Sequence, residues 1–587
     1  MRQRSYMKKL LIYLKDYKKE TVFAPLFKML EACFELFIPL VVAAIIDKGI
    51  GRNDQGYILK MCVLMVILGT IGLICSVTAQ FFAAKAAVGF ATKLRHALFT
   101  HIQSLSYTEM DTIGTSTLIT RMTSDINQAQ SGVNMVLRLF LRSPFIVFGA
   151  MIMAFTVDVK AALVFVVTIP VLSVVVFAII LYSIPLYKKV QNLLDRVLGI
   201  TRETLTGVRV IRAFHLEEQE VTHFDEENAA LKKMQIFVGK FSALMNPLTY
   251  VIINGATIAL IFSGALRVQS GAITQGEVVA LVNYMSQILV ELVKLANLIV
   301  TVTKAVACAN RIQDVFEVTS AIQEKEDVQD TFAKQKANKD KIDDSVVTFR
   351  NVCLTYAGAG AEALTRIDFS VKEGETIGII GGTGSGKSSV INLIPRFYDA
   401  TKGEVLVDGI DVRDYPLKEL RDKVGVVPQK AVLFQGTVRE NMKWGNEDAD
   451  DDEIWEALQT AQAEEFIRAK ERKLEEPVSQ GGKNFSGGQR QRLTIARALV
   501  KKPRILILDD SASALDYLTD FKLRQAIAAM KGLGAVFIVS QRTSSIRNAD
   551  KILVLEDGEI AGIGTHEELL ASCSVYQEIY HSQSSAS

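Results

Sequence analysis

Long apolar stretches dominate the first half of the chain, whereas the second half alternates short apolar and polar segments. Six stretches approach or exceed the roughly 20 residues with which a helix crosses a bilayer. They span residues 21–46, 57–84, 139–157, 161–182, 241–265 and 276–300. Charged residues interrupt the first stretch at Lys28, Glu31 and Glu35, and Arg142 interrupts the third. The pattern predicts an α-helical transmembrane domain of six membrane-spanning helices.

The connections between these stretches differ greatly in length. Residues 47–56, 157–160 and 266–275 are short, whereas residues 85–138 and 183–240 are long, polar and typical of helices. Lys and Arg are concentrated in the two long connections, so the positive-inside rule predicts that these connections and both termini lie in the cytoplasm. We therefore expect long cytoplasmic helical extensions. The basic, amphipathic N-terminal residues are expected to form an elbow helix at the membrane surface, and no cleavable signal peptide is predicted.

The second half of the chain has the pattern of an α/β domain. Residues 319–344 are charged and nearly free of aromatics, which is typical of a linker. Short apolar runs of buried-strand type then alternate with helical patterns. The clearest runs are Glu375–Ile380, Val424–Val427, Arg504–Leu508, Ala535–Val539 and Lys551–Leu555. The pattern predicts a transmembrane domain at 1–318, a linker at 319–344 and an α/β domain at 345–587.

A glycine-rich segment follows the first of these runs and precedes a helical pattern. Its sequence, Gly-Gly-Thr-Gly-Ser-Gly-Lys-Ser, has the G-x4-G-K-[ST] spacing of a phosphate-binding loop. Glycines let successive backbone N–H groups turn toward phosphate oxygens, and the following helix presents its N-terminus to the same anion. Lys387 can reach the β- and γ-phosphates, and the Ser388 hydroxyl can bind Mg²⁺. The residues predicted to hold ATP are Gly381, Gly382, Thr383, Gly384, Ser385, Gly386, Lys387, Ser388 and Ser389.

A second feature of nucleotide sites lies at the end of a later strand. The apolar run Arg504–Leu508 ends at Asp509, an arrangement in which a carboxylate holds Mg²⁺ through water. Alone, this pattern is common among buried strands. Together with the glycine-rich loop, it predicts a nucleotide-binding domain with a Mg²⁺–ATP site.

Composition and charge narrow the classes of function. The 587 residues are 49% hydrophobic and carry a net charge of only +2, so nothing indicates a polyanionic partner such as nucleic acid. The six cysteines are scattered without metal-binding spacing, and we expect them to be reduced and mostly buried. The six apolar stretches argue against a soluble ATPase.

Another anion-binding turn is predicted at Phe485–Gln489. This segment reads Phe-Ser-Gly-Gly-Gln, in which two glycines follow a serine at the start of a helical pattern. Here the chain resembles the ATP-binding cassette superfamily, whose signature motif is Ser-Gly-Gly-Gln. The resemblance covers essentially the whole chain in the order of an exporter half-transporter, with six membrane helices followed by one cassette.

The resemblance implies a dimer of cassettes in which each nucleotide lies between one chain's phosphate-binding loop and the other chain's signature. Tyr356 then resembles the aromatic residue that stacks on adenine, and Gln429 resembles the Q-loop glutamine, with catalytic and Mg²⁺-binding roles. Ser513–Asp516 resembles the D-loop, and Gly207–Phe214 resembles a coupling region where a cytoplasmic loop contacts a cassette. The residues expected to contact a partner's ATP are Phe485, Ser486, Gly487, Gly488 and Gln489.

Two positions depart from the family pattern. The residue after Asp509, where the family has the glutamate that activates water, is Asp510, and the switch position, where the family has histidine, is Gln541. Aspartate is shorter than glutamate by one C–C bond of about 1.5 Å, and a ~1 Å misplacement can cost ~100-fold in rate. We therefore expect the site on this chain's own loop to bind ATP but to hydrolyse it poorly.

The intact signature and the altered base together predict a heterodimer. A second half-transporter would supply the glutamate and histidine, and the resemblance is to the degenerate half of heterodimeric bacterial multidrug exporters. The expected function is ATP-driven export of hydrophobic or amphipathic compounds across the plasma membrane. Two alternatives stay open: a homodimer in which Asp510 serves as the base, and a regulator or conduit that nucleotide gates without pumping.

Two carboxylates in the first apolar stretch bear on the cargo. Glu31 and Glu35 are four residues apart, so they share one face of a helix within the predicted bilayer core. Intramembrane carboxylates usually face a cavity or a partner. One interpretation places at least one of them in a substrate cavity, where it favours cationic amphipathic compounds. The other pairs them in structural ion pairs with Lys28, Arg138, Arg142 or Lys294.

Overall fold

The structure is a computed structural model that describes residues 9–324, 328–329, 332–333, 345–511, 514–530 and 532–584. The described residues group into two compact units. One contains the residues up to 103 together with 115–318, and the other contains 104–114 together with the residues from 319 onward. Residues 1–8, which include the start of the predicted elbow helix, most of the predicted linker, and Ser513 of the predicted D-loop lie outside the described residues.

Helices form nearly all of the described chain up to residue 316. A 3₁₀ segment at Leu11–Tyr17 precedes the first α-helix, and π-helical segments occupy Ile45–Ile50 and Arg121–Asp125. The α-helices in chain order are α1 (Lys18–Ala44), α2 (Gln55–Ser104), α3 (Tyr107–Ile113), α4 (Thr115–Thr120), α5 (Ile126–Leu139), α6 (Arg142–Val157), α7 (Val159–Thr206), α8 (Val208–Ala213), α9 (Glu217–Ala243), α10 (Met245–Gln269) and α11 (Gln275–Phe316).

Six helical segments of the described chain are long and apolar enough to cross a membrane. They span Leu11–Ile50, Gln55–Ser104, Thr115–Val157, Val159–Thr206, Glu217–Gln269 and Gln275–Phe316. Each contains one predicted stretch, which confirms the six-helix transmembrane domain. Helices α2 and α7 have 50 and 48 residues, so each is about 70 Å long, more than twice the ~30 Å hydrocarbon core. The predicted extension of the helices beyond the bilayer therefore agrees with their length.

Local sequence explains where two of these helices begin and how they pack. The Asp158 side chain accepts a hydrogen bond from the Ala161 N–H (2.7 Å) and caps α7. Thr274 and Glu277 form a reciprocal capping box at the start of α11. Buried alanines of α1, α6, α7, α10 and α11 lie in the core of this unit. Small side chains at these positions let helix axes approach closely.

The second unit combines twelve described strands with short helices. Its helices after α3 are α12 (Lys387–Leu393), α13 (Leu417–Lys423), α14 (Val438–Lys443), α15 (Asp451–Thr460), α16 (Glu464–Arg468), α17 (Gly487–Val500), α18 (Tyr517–Ala528), α19 (Thr543–Ile546), α20 (His566–Ser572) and α21 (Ser574–Ser584). Its strands are β1 (Ser345–Leu354), β2 (Leu364–Lys372), β3 (Glu375–Gly381), β4 (Lys402–Val407), β5 (Ile410–Asp411), β6 (Val424–Val427), β7 (Gly436–Thr437), β8 (Pro477–Val478), β9 (Ile505–Asp509), β10 (Ala535–Val539), β11 (Lys551–Glu556) and β12 (Glu559–Gly564).

The strands form a four-stranded sheet in the order β2-β1-β4-β5, a six-stranded sheet in the order β12-β11-β3-β10-β9-β6, and the pair β7-β8. In the six-stranded sheet, β11, β3, β10, β9 and β6 run parallel, and β12 pairs antiparallel with β11. These five parallel strands are the five predicted from short apolar runs, which confirms the α/β domain. Parallel strands are buried on both faces, and this is why they appear in the sequence as continuous apolar runs.

We expect Phe537→Ala to destabilise the α/β unit. Phe537 is fully buried on the central strand β10, and deleting a buried aromatic ring costs about 3–5 kcal/mol. In calorimetry of the solubilised chain, the thermal transition that ATP shifts upward should move to lower temperature. The matched control is Ile563→Ala on the edge strand β12, where the side chain is exposed. Equal shifts in the two variants would contradict the central position of Phe537.

Candidate nucleotide-binding site

The glycine-rich loop joins β3 to α12 at the carboxyl end of the parallel strands. A Cβ on Gly381 would lie 2.1 Å from the carbonyl oxygen of Leu555, so only glycine fits there. Gly384 and Gly386 have φ angles of 86° and 94°, which other residues rarely adopt. These constraints produce a tight turn of the kind in which backbone N–H groups bind an anion.

Lys387 and Ser388 begin α12 and contact both the loop and β9. The Lys387 Nζ donates hydrogen bonds to the carbonyl oxygens of Gly381 (2.9 Å) and Gly382 (2.6 Å). The Ser388 hydroxyl donates to Asp509 Oδ2 (3.1 Å). Burial lowers the pKa of Lys387 and raises the pKa of Asp509. An opposite charge would offset the cost of burial at each group, so the lysine fits a phosphate, and the Ser–Asp oxygen pair fits Mg²⁺.

Asp510 has a partner different from that of Asp509. Its Oδ2 accepts a hydrogen bond from Gln429 Nε2 at 3.3 Å, and its backbone N–H donates to the Val539 carbonyl at 3.0 Å. Its φ of 44° lies in the left-handed region, which few non-glycine residues adopt. Gln429 follows β6, and Gln541 follows β10. The structure thus brings the loop, Asp509, Asp510, Gln429 and the switch position to one edge of the sheet.

Tyr356 is anchored to the helix that follows the loop. Its hydroxyl lies 2.9 Å from the hydroxyl of Ser389. Its ring contacts Tyr398 edge to face at 5.1 Å between centroids. The Tyr398 hydroxyl donates to Asp111 (2.6 Å), and burial is the main cause that raises the pKa of Tyr398. Tyr356 is only partly buried, and a partly exposed ring beside the loop fits the expected stacking on adenine.

The signature segment forms an exposed, capped helix start. Ser486 caps α17, with its backbone N–H donating to Gln489 Oε1 (3.0 Å) and its hydroxyl accepting from the Gln489 N–H (3.3 Å). A Cβ on Gly488 would lie 3.0 Å from the Ala514 carbonyl oxygen, whereas one on Gly487 would meet no atom within 4 Å. Phe485 differs from its neighbours because it is only 4% exposed. Its ring therefore supports the turn from the core.

The two membrane carboxylates are ion-paired. Glu31 Oε2 lies 2.5 Å from the Lys28 Nζ, and Glu35 Oε2 lies 2.7 Å from Arg142 Nη2. Arg142 also contacts Glu291 at 2.6 Å, and Lys294 contacts Glu291 at 2.8 Å. The structural ion-pair interpretation thus describes Glu31, while Glu35 is both paired and part of a cavity wall. The sequence reasoning missed Glu291. The signal that could have found it was an acidic residue within an apolar stretch.

A second missed residue contacts the switch segment. Gln583 of the C-terminal helix α21 donates through Nε2 to the Gln541 carbonyl (2.7 Å). Its Oε1 accepts from the N–H and from the hydroxyl of Thr543, both at 2.9 Å. No spacing in the sequence signals this contact, since the partners are about 40 residues apart. The amide links the end of the described chain to the position where the family has histidine.

The fold and the site define an ATP-binding cassette half-transporter, with a six-helix membrane unit and one P-loop cassette in a single chain. A family model described as the ABC transporter transmembrane region matches residues 21–292, and one described as ABC transporter matches residues 364–513. The chain belongs to the ABC transporter family.

Similar proteins match the chain over nearly its whole length. An uncharacterized ABC transporter ATP-binding protein of Mycobacterium tuberculosis is 36% identical over 97% of both chains. A putative multidrug export ATP-binding/permease protein, YgaD of Bacillus subtilis, is 32% identical over 98% of both chains. The solved structure of a bacterial Atm1-family ABC exporter with ATP bound superposes with a TM-score of 0.77 and 22% identity, covering 96% of this chain and 99% of that chain. This last likeness shows that the two chains share a fold.

The Gln583 contact generates a prediction about the switch segment. Gln583→Ala removes a hydrogen-bond acceptor from the Thr543 N–H, and such a bond contributes about 1 kcal/mol. We therefore expect several-fold faster hydrogen exchange at the Thr543 amide, measured by mass spectrometry of the full chain. Gln577→Ala is the matched control, because Gln577 lies on the same helix and donates to the Leu570 carbonyl. Unchanged protection of Thr543 in Gln583→Ala would show that the contact does not hold the segment.

Proposed function

We propose that this chain is one subunit of an ATP-driven exporter that moves hydrophobic or amphipathic compounds out of the cytoplasm by alternating access. The observation that carries the proposal is an intact phosphate-binding loop and an intact signature turn in one cassette, beside an altered base. Asp510, at the base position, is hydrogen-bonded to Gln429, and the switch position is Gln541. The name of the relative YgaD, which is a putative multidrug exporter, supports this class of cargo.

At its own loop, this chain would hold ATP without efficient hydrolysis. The loop Gly381–Ser389 would bind the phosphates, and Tyr356 would stack on the adenine ring. Ser388, Gln429 and, through water, Asp509 would hold Mg²⁺. Bound Mg²⁺ neutralises charge on the phosphate oxygens. The Asp510 side chain has one methylene fewer than the family's glutamate, so its carboxylate would fall short of the water position expected for the family.

The partner would be a second half-transporter with an intact glutamate and histidine at these two positions. This chain's signature turn, Ser486–Gln489 on its Phe485 support, would complete the partner's catalytic site. The complex would lie in the plasma membrane with the cassettes and both termini in the cytoplasm. The boundaries of the proposed domains are 1–318, 319–344 and 345–587.

A homodimer in which Asp510 works as the base is the alternative that the geometry supports next. Asp510 is still a carboxylate, and it stands beside Gln429 at the correct edge of the sheet. Hydrolysis would then require a water molecule bound closer to the protein than in the family. Transport of a labelled compound against its gradient would distinguish either exporter, heterodimeric or homodimeric, from a nucleotide-gated conduit.

The isolated chain should hydrolyse ATP poorly and gain activity when the missing groups are restored. We expect the double variant Asp510→Glu with Gln541→His to raise ATP turnover of the chain alone on the order of 100-fold, the lower end of a general base's contribution. The wild-type chain, purified with the second half-transporter recovered from native membranes, should turn over ATP at one site per complex. Brisk, cooperative hydrolysis by the isolated wild-type chain would favour the homodimer.

The two nucleotide motifs of this chain should affect the complex unequally. Ser486→Ala should abolish ATPase activity of the heterodimer, because it removes a phosphate contact at the competent site. Lys387→Ala should mainly weaken nucleotide retention at this chain's own loop. Both effects are read from steady-state ATPase activity and from retention of labelled ATP after rapid gel filtration.

A control separates the loss of a helix cap from the loss of a phosphate contact. Ser486 caps α17, and replacing a cap costs about 1 kcal/mol. Thr565→Ala removes an equivalent capping box from α20 and should leave ATPase activity unchanged. If Lys387→Ala abolishes turnover while Ser486→Ala spares it, the competent site belongs to this chain's own loop.

A further inference from the structure

Six charged side chains of the membrane unit form one connected cluster, referred to here as the charged cluster. Its members are Lys28, Glu31, Glu35, Arg142, Glu291 and Lys294. Three are cations and three are anions, so the formal charges cancel. Every carboxylate contacts at least one cation, and Arg142 contacts all three carboxylates, at 2.6 Å (Glu291), 2.7 Å (Glu35) and 3.9 Å (Glu31).

Only two members of the charged cluster are substantially exposed. The side chains of Glu35 and Lys294 are 38% and 42% exposed, whereas Glu291 is 3% exposed. These two exposed ends carry opposite charges, and both line a cavity of about 400 Å³. Cavities of this size hold small ligands or head groups. Glu291 also lines the cavity but is nearly fully buried, so the cavity presents one exposed carboxylate and one exposed ammonium group to a ligand.

The remaining walls of the cavity are partly polar and partly apolar. Ile38, Ile146 and Val290 supply apolar surface, and Gln287 supplies an amide. The Gln287 Oε1 is buried and, within the described part of the chain, has no hydrogen-bond partner. A buried acceptor without a donor is costly, so a ligand that donates a hydrogen bond here would be favoured. Charged, polar and apolar groups together suit the head group and upper tail of an amphiphile.

The net charge of the cluster decides which head group fits. A monocation bound at Glu35 would give the cluster a net positive charge and would compete for this carboxylate with Arg142, which is buried. Weakening the pairing of a buried charge is expensive. A zwitterion can place its cation at Glu35 and its anion at Lys294 and leave the site neutral. We propose that this cavity binds the head group of zwitterionic amphiphiles. This refines the cationic cargo expected from Glu31 and Glu35 alone, because the sequence reasoning did not count Glu291, Arg142 and Lys294 as one network with them.

The proposal rests on the proposed function only for transport, and binding can be tested without nucleotide. The probes are three dodecyl compounds with the same tail: dodecylphosphocholine, dodecyltrimethylammonium and dodecanesulfonate. Each competes with tritiated dodecylphosphocholine for the full chain in maltoside micelles, whose head groups are uncharged. Partition of each compound into protein-free micelles is measured and divided out, so that affinities can be compared between compounds as well as between variants.

We expect the wild type to bind the zwitterion more tightly than either ion. Lys294→Met makes the site net negative and should shift selectivity toward the cation by on the order of tenfold, the effect of one charge-assisted contact. Glu35→Gln should shift selectivity toward the anion by a similar factor. The double variant restores neutrality but should lose the zwitterion preference. Lys304→Met is the matched control, since Lys304 lies on the same helix and does not line the cavity.

Three results would overturn the proposal: a wild type that binds either ion more tightly than the zwitterion, single variants whose selectivities shift in the same direction, or single variants whose selectivities do not shift. Size-exclusion profiles and retention of labelled ATP identify variants that fail to fold, and the conservative change Lys294→Arg should keep the zwitterion preference. Failure of ATP-driven transport with binding selectivity intact would count against the proposed function and leave this inference standing. Normal ATP-driven transport without the selectivity shifts would count against this inference and leave the proposed function standing.

Discussion

Parallel pairing in the six-stranded sheet is the constraint on which the candidate nucleotide site depends. Val539 on β10 pairs in register with Ile379 on β3 and with Asp509 on β9. The carboxyl ends of parallel strands meet at one edge, where ligands of open α/β sheets bind. Segments far apart in sequence therefore emerge side by side. The Ser388–Asp509 and Gln429–Asp510 hydrogen bonds join residues 121 and 81 positions apart.

The same constraint makes the replacement of the family's glutamate by Asp510 more consequential. A shorter side chain can be compensated if the backbone moves toward the water it must activate. At Asp510 the backbone N–H is bonded to β10 through Val539, and the φ angle of 44° is already strained. Movement of this residue would break a strand-linked hydrogen bond. The rigidity of the sheet edge is thus a second argument, beside the sequence change, for the proposal that Asp510 is an impaired base.

Sequence reasoning reached the features that local patterns encode and missed those that tertiary contacts create. The six apolar stretches, the five parallel strands and the glycine-rich loop each have a local signature, and the structure has them where they were predicted. Glu291 was missed because one acidic residue in a long apolar stretch does not disturb its hydropathy. Gln583 was missed because a glutamine near a C-terminus has no pattern. Their partners are brought close only by the packing of α6 against α11 and of α21 beside the switch segment.

The charged cluster links ligand binding to the arrangement of the membrane helices. Apolar packing between helices is nondirectional, whereas Arg142 on α6 bonds Glu35 on α1 and Glu291 on α11 with defined geometry. The guanidinium therefore specifies how three helices align. Of the two exposed ends of the network, Glu35 is paired with Arg142 across α1 and α6, whereas Lys294 is paired with Glu291 within α11. A ligand bound at Glu35 therefore competes with a contact that holds this alignment. A compound that binds one helix arrangement more tightly than another shifts the population toward it by that difference in affinity. Such a coupling requires only that the same charged side chains contact both the bound compound and the neighbouring helices.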